Sequence, residues 1–271
     1  MRKLPYSVNA INFIAYEEFS RAVMSPITIT ICVIITTYAI LNCAGLQYYF
    51  HNSGYSVYET YLLGIGNVFS TVSTFLTAIA VFIGIMSIIE DSRKNVFKIL
   101  LTKPLYRRDV IIGKFMGINA FLLVLVTLTF TLIALMLAVF YVMPYDVSDW
   151  LLRIGSLITI TFLECSIASG IMIIAGVMFS KNLLGAVGIA ASFFFLEWHF
   201  AMGLHLGDLD FLSPRFLLFS MYGLGNIWLT DPSYSLLEWF NSASPYILLA
   251  VVEALLVMLF GAFLFSRSEE N

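Results

Sequence analysis

Six apolar runs decide what this chain can fold into: 27–46, 61–89, 110–142, 151–178, 183–200 and 245–265. A hydrocarbon core about 30 Å thick is crossed by a helix of about 20 apolar residues. Inside it no water reaches backbone N–H and C=O groups, so each crossing segment must satisfy its own. The expectation is an all-α, polytopic membrane protein with six transmembrane helices. Runs two to four exceed the bilayer's requirement and must tilt or project beyond it, while run five is short. Composition agrees, with 60% hydrophobic and 11% charged residues against about 25% charged in soluble domains. Cys32, Cys43 and Cys165 sit inside apolar runs without paired spacing, which reads as small buried hydrophobes rather than disulfides or zinc ligands. Glu17, Glu18 and Arg21 interrupt any signal-peptide core, so the first span is expected to serve as its own insertion signal.

Orientation follows from the basic residues. With the N-terminus in the cytoplasm, 12 of the 14 Lys and Arg lie inside, leaving only Arg153 and Arg215 outside. Trp150, Trp198, Trp228 and Trp239 then fall on or near the outer face, where amphipathic rings favour the headgroup level. The expected location is the cell membrane, multi-pass, with both termini cytoplasmic.

Three segments are organised without spanning. Residues 8–23 read as an imperfect amphipathic helix lying along the cytoplasmic leaflet, the alternative being an ordinary N-terminal extension; Asn12 and Glu18 intrude on its apolar side and Pro26 starts the first span. Residues 201–244 read as an outer pair of short helices, 211–222 and 234–240, separated by Gly223, Gly225 and the Asp231-Pro232 turn. Between spans two and three lies a basic island. Arg93, Lys94, Lys98, Lys103, Arg107, Arg108 and Lys114 place half of the chain's basic residues in one window of 25. Val96, Phe97, Ile99, Leu100 and Leu101 share one helical face there, and Pro104 ends the helix. Two readings stay open. The island either rests on anionic headgroups, or inserts its apolar face into a groove on a cytosolic partner.

Together these features resemble the permease subunits of type-2 ABC transporters. The resemblance rests on the amphipathic helix before six spans, on Glu90-x-x-Arg93…Leu100-Leu101-x-x-Pro104-x-x-Arg107…Gly113-Lys114, and on Leu212-Ser213-Pro214 before the last span. Asn95 and Val96 stand where Gly-Thr is common in that family. The resemblance implies one permease domain over 1–271. It comprises an elbow helix (1–25, with Glu17, Glu18 and Arg21), spans one to five (26–200), an outer helical segment (201–244), span six (245–266) and a cytoplasmic tail (267–271). It also implies a coupling helix, 90–104, seated on a cytosolic ABC ATPase through Glu90, Arg93, Lys94, Phe97, Leu100, Leu101, Pro104 and Arg107. A second permease copy or paralogue and the lipid bilayer are the other expected partners, with no nucleic acid. The chain carries no Gly-x-x-x-x-Gly-Lys-Ser/Thr loop, so ATP and Mg are expected in the partner, with no cofactor and no catalysis in this chain.

Acids within spans are costly and need a reason. Glu164, Glu197 and Glu253 are candidate path-lining groups, the alternative for each being a carboxyl hydrogen-bonded to a neighbouring helix. His199, Met202 and His205 recur every third residue and would suit a soft ion, but such residues are common at interfaces and no metal is expected. Two rivals to an ATP-driven exporter remain on this sequence. One is an ion-coupled transporter using the three acids, although no inverted repeat is evident; the other is a scaffold recruiting a cytosolic protein through the island.

Overall fold

The computed structural model describes residues 5–51, 57–93, 107–140, 146–179, 182–201, 207–224, 227–231 and 233–267. Its α-helices are α1 (Pro5–Met24), α2 (Pro26–His51), α3 (Val57–Arg93), α4 (Arg107–Phe140), α5 (Val147–Met178), α6 (Leu183–Ala201), α7 (Pro214–Tyr222) and α8 (Leu236–Arg267). A 3₁₀ turn (Gly207–Leu212) precedes α7. A two-stranded hairpin, β1 (Gly223–Leu224) and β2 (Ile227–Trp228), follows it with Gly223 opposite Trp228.

Each apolar run carries a helix. Among the described residues four are long and apolar enough to cross a membrane: Gly64–Ser92, Arg108–Val139, Val147–Met178 and Leu236–Ser266. Ala10–Met24 and Thr28–Asn42 pass together but bend by 57°, and Leu183–His199 is apolar and shorter. The chain is therefore a multi-pass membrane protein, with four such helices among the described residues, or five if the bent pair is one span. The bend has a local cause. Pro26 begins α2 where its missing N–H is harmless, and the Thr28 hydroxyl donates to the Ala22 carbonyl at 2.7 Å, satisfying the end of α1.

α5 is the axis of the bundle, packed by α3, α4, α6, α7 and α8. In its most apolar window 72% of residues are buried, against 22% in α8, whose Leu248, Leu255, Leu256, Leu259 and Phe263 face outward. The core between them is built from Phe69, Val72, Leu76, Ile118, Leu122, Ile160, Ile167, Leu217 and Met221.

The outer segment differs from the expected pair of short helices. Its second half is the start of α8, which runs unbroken through Pro245. Ser235 and Glu238 form a reciprocal cap, the Ser235 N–H donating to Glu238 Oε2 at 2.9 Å and the Glu238 N–H to Ser235 Oγ at 3.3 Å. Pro245 removes the donor that would meet the Asn241 carbonyl, and the Ser244 hydroxyl replaces it at 3.2 Å. The helix therefore needs no break at the proline, and the last span begins nine residues earlier than its apolar run.

Candidate functional site

Two buried ionic centres occupy opposite ends of the bundle. The first lies at the basic end, where α3 stops and α4 starts. Lys114 is 1% exposed on α4, and its ammonium contacts Glu18 of α1, Asp91 of α3 at 2.6 Å and the Ser87 carbonyl at 2.9 Å. Arg21 extends the cluster, with Asp91 at 2.9 Å, Glu18 at 3.3 Å and the exposed Glu17 at 3.5 Å. Burying this many charges is tolerable because each faces an opposite charge and the lysine's donors are used.

Glycine brings α1 this close. A Cβ on Gly113 would stand 2.9 Å from Ile14 Cβ, and one on Gly117 would collide with the Ala15 carbonyl. Gly113-x-x-x-Gly117 thus forms the small-residue stripe by which helices in lipid approach. Ile14, Glu18 and Ala22 form the buried face of α1, while Phe13 and Tyr16 point away. Glu18, which interrupts the apolar face in the sequence, is the residue that holds the helix in place.

The second centre lies at the end marked by Trp150, Trp228 and Trp239. Arg215, on the first turn of α7, is 2% exposed. Its guanidinium donates to Glu164 Oε1 on α5 at 3.0 Å, to Ser73 Oγ at 3.0 Å, to the Ser70 carbonyl at 2.9 Å and to Thr74 Oγ1. It also lies over the Phe219 ring, 4.9 Å from its centroid. Glu197 of α6 accepts from the Arg215 N–H at 2.7 Å and the Ser213 hydroxyl at 3.1 Å, placing a carboxylate at the N-terminus of α7. Ser213 in turn caps α7 by accepting from the Phe216 N–H. One short helix is thereby locked to α3, α5 and α6.

Arg153 secures the loop beside it. It pairs with Asp149 at 2.7 Å and donates to the carbonyls of Leu229 at 2.6 Å, Asp231 at 3.1 Å and Tyr234 at 2.8 Å. The Trp239 indole donates to the Met221 carbonyl, and Tyr222 stacks on Phe69 with centroids 4.4 Å apart. Asp146, which caps α5, is held below the usual carboxylate range by the Ser148 hydroxyl and the Asp149 N–H.

The expected site residues fall in three groups. Glu17, Glu18 and Arg21 meet in the first centre, and Glu90 lines a small cavity beside Glu18 and Arg21. Glu164 and Glu197 meet through Arg215, whereas Glu253 is half-buried on α8 with Oε2 unbonded among the described residues. Arg93 closes α3 and Arg107 opens α4, while Lys94, Phe97, Leu100, Leu101 and Pro104 lie outside the described residues. Met202 and His205 lie outside them too. The His199 ring sits 2.8 Å from the Phe195 carbonyl and packs on the Phe195 ring. Among the described residues no group of three His, Cys, Asp or Glu side chains is placed to hold a metal. Sequence reasoning missed Lys114, Asp91, Arg153 and Arg215 as organising residues. The signals were a lysine one turn inside an apolar run, a glycine pair four apart, and the two arginines left on the outer face.

The sequence model of the family described as ABC-2 family transporter protein matches residues 13–269. No curated protein matches the chain.

Proposed function

The chain belongs to the ABC-2 transporter family as a type-2 ABC permease, and from that premise we propose that it is the path-forming subunit of an ATP-driven exporter. The family implies partnership with a cytosolic ABC ATPase. ATP and Mg would be handled there, and two permease chains, identical or related, would enclose the path. In this reading α2, α3, α4, α5, α6 and α8 are six spans with both termini in the cytoplasm. α1 is the elbow helix, and residues 90–104 are the coupling helix.

The observation that carries the proposal is the Lys114 centre. It ties α1 to α3 and α4, the two helices that flank residues 94–106. Displacement of that segment by an ATPase would move three elements together rather than bend one loop. At the opposite end α7, locked by Arg215 to Glu164, would close the path until the bundle rearranges.

Leu100→Asp is expected to abolish copurification of the ATPase while membrane insertion stays normal, because apolar anchors on a basic rim dominate such contacts. ATPase recovered at the wild-type level would overturn the coupling assignment. Orientation has its own measurement. In a background lacking Cys32, Cys43 and Cys165, an impermeant maleimide applied to intact cells should label Asn52→Cys and Ser233→Cys but not Lys181→Cys. Labelling at 181 alone would invert the topology.

A further inference from the structure

Glu253 stands near the middle of α8, an acid within a bilayer-crossing helix that neither ionic centre uses. It is half-buried, and its Oε2 is sealed from solvent without a hydrogen-bond partner among the described residues. An oxygen on α4 shares that condition. Asn119 donates an amide N–H to the Phe115 carbonyl at 2.9 Å, while its Oδ1 is sealed and unbonded among the described residues. The packing of three helices relates the two oxygens. A Cβ on Gly261 of α8 would stand 3.3 Å from the Ile174 side chain of α5 and 3.7 Å from the Ile111 side chain of α4. One turn toward the aromatic end, a Cβ on Gly170 of α5 would meet Val257 of α8 at 2.6 Å and Phe115 of α4 at 2.9 Å. Between these levels the step is four residues on every helix, from 111 to 115, from 174 to 170 and from 261 to 257, the spacing of ridges along i±4 rows. The next such step reaches Asn119, the buried Ser166 and Glu253.

An ionised carboxyl at this level would have nothing to balance it, and such a charge inside the bilayer is costly. The charged groups on the helices packed against α8 are engaged elsewhere. Lys114 of α4 serves Glu18 and Asp91, Arg215 of α7 serves Glu164 of α5, and Arg153 of α5 serves Asp149. Arg107, Arg108 and Asp109 open α4, about three turns from Asn119, and Glu238 and Arg267 lie at the two ends of α8. Asn119 Oδ1 and an ionised Glu253 Oε2 are both acceptors, and neither is open to water or to a ligand. Their donor must therefore come from within the pair. One proton supplies it, because it removes the charge and turns Oε2 into a donor. We propose that Glu253 is a proton-binding site, un-ionised in the folded chain, whose Oε2–H donates to Asn119 Oδ1 and latches α8 to α4. The bond lasts only while the proton is held. Its loss sets two acceptors against each other and unfastens the last span from α4.

The test is infrared difference spectroscopy of the purified full-length chain in lipid, wild type against Glu253→Gln. The wild type should show the carbonyl band of a protonated carboxylic acid that the variant lacks. Asn119→Leu should move that band to higher frequency, because a carboxyl whose hydroxyl no longer donates has a stiffer carbonyl. Carboxylate bands in place of the acid band, the signature of an ion at Glu253, would overturn the proposal. An acid band that Asn119→Leu leaves where it was would overturn it equally. Stability supplies an independent reading. Glu253→Gln should unfold close to the wild-type temperature, since its amide N–H still donates to Asn119 Oδ1. Glu253→Leu and Asn119→Leu should be coupled by roughly threefold in the folding equilibrium, the value of an average hydrogen bond between helices in lipid. Strictly additive losses would count against the latch. If Glu253→Gln fails to fold, Asn119→Leu against wild type decides alone, a shifted acid band supporting the proposal and an unshifted one overturning it. None of these readouts depends on transport or on the ATPase.

Discussion

Lys114→Met is expected to destabilise the folded chain by about 3 kcal/mol, because Arg21 alone then balances the buried Glu18 and Asp91. Two carboxylates, Glu18 and Asp91, lose their ammonium at once, and both are nearly inaccessible to water. The damage should be local before it is global. Limited proteolysis should release α1 from α4 under conditions where α5 remains protected, because α3 and α4 are also held by their packing on α5. The double variant Lys114→Met, Asp91→Asn should recover part of the loss, since Glu18 then keeps Arg21 as its counterion and the buried charges balance. Thermal denaturation in detergent measures both. A Lys114→Met chain as stable as wild type would mean that Arg21 alone suffices to balance both acids.

Arg215→Met should cost a similar amount, about 3–5 kcal/mol, at the other end of the bundle. It strands Glu164, which is completely buried, and removes donors to Ser73, Ser70 and Thr74. Glu164→Gln is expected to be far milder, about 1–2 kcal/mol, because an amide oxygen still accepts from the guanidinium and the other three acceptors remain. Adding Glu164→Gln to Arg215→Met should therefore restore stability relative to Arg215→Met alone. Arg215→Lys should not rescue, since one ammonium cannot span the acceptors that the planar fork reaches. Stability curves for the four variants, with expression in the membrane as a control, separate these outcomes. Equal losses for Glu164→Gln and Arg215→Met would show that the pair acts through something other than charge compensation.

The two arginines on the aromatic side show where sequence reasoning stops. As isolated basic residues against the positive-inside pattern, Arg153 and Arg215 are visible at once. That both are buried, and that each fastens the segment after α6 to the bundle, is not visible. The hydrogen-bond partners of the Arg215 guanidinium lie 51 to 145 positions away, from Glu164 to Ser70. Position 114 is similar. A lysine one turn inside an apolar run announces a need for partners, but Glu18 is 96 residues distant.

The apolar runs by themselves determined the helical class, the approximate place of each long helix and the bilayer as solvent. Those properties depend on local hydrophobicity and on the backbone's need to bond within its own segment. The family resemblance was legible too, because its motifs are read by their order among the spans along the whole chain. The start of α8 was misplaced because a reciprocal Ser235–Glu238 cap and a hydroxyl under Pro245 outweigh the helix-breaking tendency of proline. Only the tertiary structure decided that α5 is the central helix and that Glu18 and Lys114 meet across a glycine stripe. It alone decided that Arg215 draws Glu164 and Glu197 into one centre. In lipid the hydrophobic effect does not choose between one apolar helix face and another. The pairing is set instead by close approach and by charges that must find each other, and both are properties of the packed bundle.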